Sequence, residues 1–261
     1  VEKPREPKIV ALDLETMPDL VEVMKIFPGL SAYPGLTFKA SISSIICFGY
    51  RIVGSNEKAK VISAWDFPEW DENVNNDRRV IEEAHKILHD ADAVITHNGK
   101  KFDWKFLQTR YMKHGMQPLP KIPHVDTVNV LKSNLLLFNN RLTTASKFFL
   151  GDDKMENGGW QLWVDVLNKK PEAQKIMAEY CAKDVDLLYD LFNKLRPFIS
   201  NLPNQNMYGE TNKKCCPSCG STRIKSNGYR STVTMSYKRY QCMDCGAWSR
   251  TDIKDHHPRA I

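Results

Sequence analysis

The sequence predicts an α/β protein: a mixed β-sheet with helices on both sides, followed by a small β unit at the C-terminus. Three observations carry this. Apolar runs of strand length come first, and later ones alternate with segments of helical period. The long last helical segment ends at Pro197 and the polar stretch NLPNQN. Five of the seven cysteines then crowd between positions 215 and 245.

The elements follow in order. KIVALDL (8–14) is short, apolar and β-branched, as a buried strand requires. Segment 24–40 is rich in Pro, Gly and aromatics (Phe27, Tyr33, Phe38) and reads as a long loop. SISSIICFGYRI (41–52) and KAKVISAW (58–65) read as two strands divided by the turn signal GSNEK. Residues 77–91 have helical spacing, 92–98 form a strand, and 101–115 form a helix ending at Gly115. Residues 124–131 pass from strand into helix, and Gly151 stops a short helix over 142–151. Residues 171–195 form a long helix with Pro171 in its first turn. Three successive strands with short connections predict an antiparallel meander, and the later strand–helix units predict parallel additions. The expected organisation is a domain over 1–200, a linker over 201–212 and a cysteine-rich unit over 213–261.

A chain of 261 residues with 42% hydrophobic content suits one large domain and a small one. No apolar run reaches the ~18–20 residues of a membrane span. VEKPREPK at the start has no apolar signal core, so the expectation is a soluble, intracellular protein of the cytoplasm. The net charge of +6 is uneven: from Lys213 onward ten Lys/Arg face three acids, a net +7, and the first 212 residues carry −1. A phosphate backbone is the obvious partner for such a tail, although a solvated basic tail would have the same composition. An odd number of cysteines without a secretion signal favours metal binding over a disulfide framework.

Asp13 and Glu15, two apart in a strand, share one face, while Leu12 and Leu14 point the other way. Tyr180 and Asp184, four apart in a helix, also share a face. Asp103 begins a helix just after the strand VITHN. Three elements thus converge. Grouped carboxylates repel one another, and divalent cations resolve the conflict. Oxygen ligands without histidine favour Mg²⁺ or Mn²⁺. Two such ions ~3.5–4 Å apart clamp the attacking and leaving oxygens of a phosphoryl displacement. Tyr180 is placed to hold the attacking water. Taken singly, Asp103 suits a helix cap and Tyr180 a core aromatic. Asp13 is the decisive residue, because an acid closing a buried apolar strand needs a reason to be there.

LDLET, N-x3-FD (Asn98 to Asp103) and Y-x3-D (Tyr180 to Asp184) resemble the three motifs of the DEDD superfamily of 3′–5′ exonucleases. The resemblance covers about residues 8–195 and implies an RNase H-like sheet. Position 179 is Glu rather than His, and Tyr180 marks the tyrosine branch. The chain is most similar to the proofreading exonuclease domains of family-B DNA polymerases and their stand-alone relatives, including viral ones. HVDT around Asp126, and LTTASKFFLG followed by Lys154, fit the same relatives. The resemblance implies that Asp13, Glu15, Asp103 and Asp184 hold two Mg²⁺ or Mn²⁺ and that Tyr180 positions water. It also implies substrate contacts from Leu14, Thr16, Asn98 and Phe102, the last two being equally suited to a cap and a core ring. Asp126, Asp186 and Asp190 are left out of the metal set.

CPSCG (216–220) and CMDCG (242–246) are two C-x2-C knuckles. Four thiolates suit tetrahedral Zn²⁺, and the glycine after each pair permits the tight turn. Cys216, Cys219, Cys242 and Cys245 are therefore the expected ligands of one structural zinc. The pattern resembles a zinc ribbon, with strands around Thr232–Gln241 and Trp248–Asp252. Cys215 is spare, and His256 and His257 read as tail residues. Among the aromatics Tyr229, Tyr237, Tyr240 and Trp248, some fill a small core and others stack bases. Lys225, Arg230, Lys238, Arg239 and Tyr240 are the candidate nucleic-acid contacts.

The whole predicts a metal-dependent 3′–5′ exonuclease acting on DNA 3′ ends, alone or on behalf of a replication or repair protein. The ribbon would grip substrate and loop 24–40 would help to part strands. Trimming of RNA 3′ ends is the alternative within the same chemistry, and a non-catalytic zinc-ribbon adaptor is the alternative outside it.

Overall fold

The computed structural model describes residues 5–18, 21–23, 37–40, 43–156, 158–208, 214–233, 235–250 and 255–256. Its strands and helices run β1 (Ile9–Thr16), β2 (Val21–Val23), β3 (Thr37–Ala40), β4 (Ile45–Ile52) and β5 (Lys60–Ser63). Then come α1 (Glu69–Glu72), α2 (Arg78–Leu88), β6 (Ala93–Thr96), α3 (Asp103–Lys113), β7 (His124–Asp126) and α4 (Thr127–Asn134). They are followed by α5 (Leu142–Leu150), α6 (Trp160–Leu167) and α7 (Pro171–Leu195). The C-terminal part holds β8 (Ile224–Ser231), β9 (Met235–Cys242), β10 (Trp248–Arg250) and β11 (Asp255–His256).

The main sheet has five strands in the order β5-β4-β1-β6-β7. β4 pairs antiparallel with both β1 and β5, which is the expected meander. β6 joins β1 in parallel, and β7 joins β6 in parallel. This is a mixed, RNase H-like sheet, and β1 lies at its centre.

Alternation along β1 explains the helices on both sides. Val10, Leu12 and Leu14 pack in one core with Val80, Ile81 and Ala84 of α2 and Leu107 and Tyr111 of α3. Ile9 and Ala11 pack in another with Leu131 of α4, Ala145 of α5 and Leu187 and Leu191 of α7. A strand buried on both faces reads as a continuous apolar run, as IVAL does.

Several features depart from the sequence reading, among them the short α1 and β11, the latter placing His256 in a strand. WQLWVDVL forms α6, an element that reading did not contain. Thr37–Ala40, inside the expected loop, pairs with Val21–Val23 as a two-stranded ribbon, while 24–36 lie outside the described residues. IKSNGYRS forms β8, paired with β9. β8 is polar and exposed along its length, so it lacks the apolar alternation that marks a strand.

The second sheet is small and antiparallel, with β9 between β8, β10 and β11. Part of the expected linker is bonded to the segment of the first cysteine pair: Gln205 N–H donates to Pro217 O at 3.0 Å, and Asn206 Oδ1 accepts Cys215 N–H at 2.9 Å. Residues 209–213 lie outside the described residues.

Candidate functional site

The strand parity that buries Ile9 and Ala11 directs Asp13 and Glu15 toward α7. Gly49 stands opposite Asp13 in the β1–β4 ladder. A Cβ there would meet Cys181 Sγ at 2.7 Å and Val185 Cγ2 at 2.8 Å, so glycine lets α7 lie directly on the sheet. Asp184, one turn from Cys181, is thereby delivered to the acids of β1. One carboxylate oxygen from each of Asp13, Glu15 and Asp184 lies within 4.8 Å of the others.

Asp103 stands beside this trio but outside it. The β1–β6 ladder ends at Ala11 and Ile95, which leaves the Leu14 N–H without a strand partner. Asp103 Oδ1 accepts that N–H at 3.1 Å. Its carboxylate therefore continues the ladder and fixes the start of α3 against β1. The turn before α3 is pinned by Asp126, which accepts Asn98 N–H at 2.9 Å, Lys100 N–H at 3.2 Å and Val128 N–H at 3.1 Å. Asn98 holds a left-handed φ of 68° in that turn. Asp126 thus has a structural role and stays out of the acidic group.

Lys154 is the residue that sequence reasoning left without a role. Its ammonium donates to Asp184 Oδ2 and, at 3.2 Å, to Tyr180 Oη. The Tyr180 ring packs against Trp163 of the unforeseen α6 at 6.4 Å. Lys154 follows the helix stop at Gly151 in an irregular segment, so no periodicity marks it.

All four acids are hard to ionise. Burial pushes the Asp13 carboxyl well up, and Asp103, Glu15 and Asp184 repel its charge further. Burial and then Asp184 raise Glu15 to about 8. Burial raises Asp103 to about 6, against the hydrogen bonds from backbone N–H groups. Asp184 is raised by burial although Lys154 opposes the shift. Asp184 Oδ1 is buried without a hydrogen-bond partner among the described residues. An oxygen-only trio with one orphaned oxygen and suppressed ionisation fits a hard divalent cation.

The other candidate residues divide. Thr16 is half-buried at a β1 irregularity, whereas Leu14 is 7% exposed and lies in the core rather than at the surface. Phe102 is 46% exposed, its ring 5.5 Å from Phe106, so it is not a core ring. Asp186 is bonded to Arg51 Nη1 at 2.7 Å and to Ala59 N–H at 3.1 Å, and Asp190 is exposed.

Beside the acids lies a cleft of about 730 Å³. Lys132, Arg141 and Lys154 line it with Asn98, Asn139 and Asn140, and among the described residues no Asp or Glu does. Its wall is preset. His97 Nε2–H donates to Asn140 O at 2.9 Å, and Asn139 Oδ1 accepts Arg141 N–H at 3.0 Å and Thr144 Oγ1–H at 2.7 Å. Burial lowers the His97 pKa to about 4, which keeps the ring neutral. Asn140 Oδ1 is buried without a partner among the described residues.

The sulfurs of Cys216, Cys219, Cys242 and Cys245 form a second cluster, all within 4.8 Å of one another. Two of its edges, Cys216–Cys245 and Cys219–Cys242, measure 3.7 Å. Zn–S bonds of ~2.3 Å in a tetrahedron put sulfurs ~3.8 Å apart, so the four fit zinc. The knuckles match: Gly220 N–H donates to Cys216 O and Gly246 N–H to Cys242 O, with φ of 76° and 75° at the glycines. Cys215 stands apart from the four.

The five candidate contacts of the C-terminal sheet fall on opposite faces. Lys225, Arg230 and Arg239 share one face with Tyr237, Trp248 and Arg250, as the β8–β9–β10 register requires. There Arg239 lies over Trp248 at 5.0 Å and Arg250 over Tyr237 at 4.2 Å. Lys238 and Tyr240 share the other face with Tyr229. Tyr237 is buried beneath Arg250, and Trp248 is half exposed.

Comparison with known proteins agrees with this architecture. A family model described as RNase_H superfamily matches residues 36–196, beginning after β1. Among solved structures, the chain is similar to the family B DNA polymerase of the hyperthermophilic archaeon Pyrobaculum calidifontis. The TM-score is 0.54 at 18% identity, over 78% of this chain and 27% of that one. At that identity the likeness shows the fold. No curated protein matches. Among the described residues, no helix is long and apolar enough to cross a membrane.

Proposed function

The chain belongs to the RNase H superfamily, and we propose that within it this protein is a metal-dependent 3′–5′ exonuclease of the DEDD tyrosine branch, acting on DNA. The observation that carries the reading is the clustered trio of half-buried Asp13 and buried Glu15 and Asp184, with an Asp184 oxygen unsatisfied among the described residues and Asp103 alongside. The fold and the family support a nuclease-type function. The basic cleft that opens at Lys154, with no carboxylate among its described lining residues, suits a phosphodiester strand.

The four acids would hold two Mg²⁺ or Mn²⁺. Such cations would supply charge to neutralise the phosphate and acidity for the attacking water. The protein's own groups do the positioning. Burial and then Asp184 push the Tyr180 hydroxyl up to about 12, so it keeps its proton and orients water rather than deprotonating it. The Lys154 ammonium donates to the Tyr180 oxygen, which leaves the hydroxyl hydrogen free to point at that water. Asn98, on its strained turn, and the exposed Phe102 would receive the terminal nucleotide, and Lys132 and Arg141 would hold phosphates further along the strand.

We assign residues 1–200 to the nuclease domain and 213–261 to a zinc ribbon, joined by 201–212. One Zn²⁺ on the four cysteines would be structural, since four protein ligands leave no open position. The face bearing Lys225, Arg230, Arg239 and Trp248 would grip substrate, and a replication or repair protein is the fitting partner.

Matched single- and double-stranded DNA and RNA oligonucleotides, incubated with Mg²⁺, Mn²⁺ or chelator, test this reading. It expects metal-dependent loss of nucleotides from DNA. Equal or faster loss from RNA would replace DNA by RNA, and loss from neither would remove the enzyme.

A further inference from the structure

Arg196, the residue after α7, is 9% exposed, and among the described residues it meets no carboxylate. A buried guanidinium without a counter-charge is costly. Its neutral partners are Asn193 Oδ1, which accepts from Nε at 2.9 Å, and the Phe192 ring, 4.5 Å from Cζ. Its third contact crosses to the other sheet: Nη1 donates to Ser218 O at 2.6 Å. Ser218 lies inside the first knuckle, between Cys216 and Cys219. Pro197, the next residue, abuts the second knuckle, where a Cβ on Gly246 would stand 3.4 Å from Pro197 Cγ. Burial lowers the pKa of Arg196, and the charges that act against this are those of Cys219, Cys245, Tyr189 and Cys216, in that order.

Four thiolates around one dication leave a net charge of about −2. That anion is what the guanidinium lacks. We propose that Arg196 is the buried counter-charge of the four-cysteine centre, and that zinc loading and docking of the C-terminal sheet onto the end of α7 are one coupled event. The inference rests on the zinc reading above. Without metal the two knuckles lose the centre that holds them together, and the seam through Ser218 and Gln205 loosens. The sheet's basic face would then lose its fixed orientation to the cleft.

The test uses the full chain. Its zinc content is counted first, and about one ion per chain is expected. Zinc transfer to a chromophoric chelator is then timed for wild type, Arg196→Met and Arg196→Lys. Neutralisation should speed release roughly tenfold or more, with the charge-keeping Lys variant between the two. Release from a folded Arg196→Met at the wild-type rate would overturn the inference and leave the zinc reading intact. So would equal release from the Met and Lys variants. A chain that takes up no zinc would overturn both. Should Arg196→Met fail to fold, hydrogen exchange on the wild type decides. Zinc removal should deprotect the Gln205 amide and leave β1 unchanged, and an unchanged Gln205 would contradict the coupling.

Discussion

Gly49 and Cys181 touch across the layer between sheet and helix: a Cβ on Gly49 would lie 2.7 Å from the Cys181 sulfur. This contact sets the height of α7 above β1, and Asp184 is one turn further along. Gly49→Ala is expected to cost ~1–3 kcal/mol of stability through overpacking. It should also lower nuclease activity by ~10²-fold, because displacement of Asp184 by about 1 Å spoils the site. Melting curves and initial rates, measured together, check this. A destabilised variant with full activity would show that the height of α7 does not position the acid.

A divalent cation held by the acids would compete with Lys154 for the same carboxylate, since the ammonium is bonded to Asp184. Lys154→Met should therefore lower the Mn²⁺ concentration needed for half-maximal thermal stabilisation. It should also slow turnover, on the order of 10-fold or more, because Tyr180 loses the donor on its oxygen. Weaker Mn²⁺ binding in the variant would mean that Lys154 supports the ion rather than competing with it.

Without cations, stability should fall as pH rises. Glu15 titrates near its ordinary 4.5 when unfolded and at about 8 when folded. Between those values the folded chain keeps a proton that the unfolded chain has shed, so stability is full below about 4.5 and is lost through about 8. Cations bind the ionised form, and their stabilising effect should grow across the same window. Melting temperatures of wild type and Glu15→Gln at pH 5.5 and 8.5, with and without Mn²⁺, isolate this group. A wild-type deficit at pH 5.5 larger than at pH 8.5 would contradict the sign.

Lys132→Ala and Arg141→Ala should weaken binding of single strands and flatten its dependence on salt, each by about one phosphate contact. Turnover at saturation should hardly change, because neither residue joins the acidic group. Equal salt slopes for variants and wild type, in fluorescence anisotropy titrations, would take the strand out of this cleft.

The parts of the site that local period governs were legible in the sequence. Asp13 and Glu15 follow from the two-residue repeat of a buried strand, and Tyr180 and Asp184 from helical spacing. The cysteine knuckles were legible because their turn chemistry is local. What depends on tertiary approach was not. Gly49 gives no signal that a helix will press on it, and Lys154 reaches Asp184 from an irregular segment. Asp103 was expected among the ligands, yet its carboxylate also closes the β1 ladder, a need visible only once the ladder's end is known. The helix α6 follows Gly158 and Gly159 and spans only eight residues, too short for its period to stand out. The alternation of Lys238, Arg239 and Tyr240 follows from one strand, but the face that Lys225 and Arg230 join depends on strand register, which β8 conceals behind a bulge at Gly228.

The most direct test of the central claim follows single-stranded DNA labelled at its 5′ end, with Mg²⁺ or Mn²⁺, beside Asp13→Ala. Removing Asp13 relieves repulsion among the remaining acids, so the variant should stay folded. The account predicts a ladder that shortens one nucleotide at a time from the 3′ end, abolished by chelator and reduced ~10²–10³-fold or more in the variant. Intact DNA that is nonetheless bound, equally by wild type and Asp13→Ala, would contradict it and leave a nucleic-acid-binding protein.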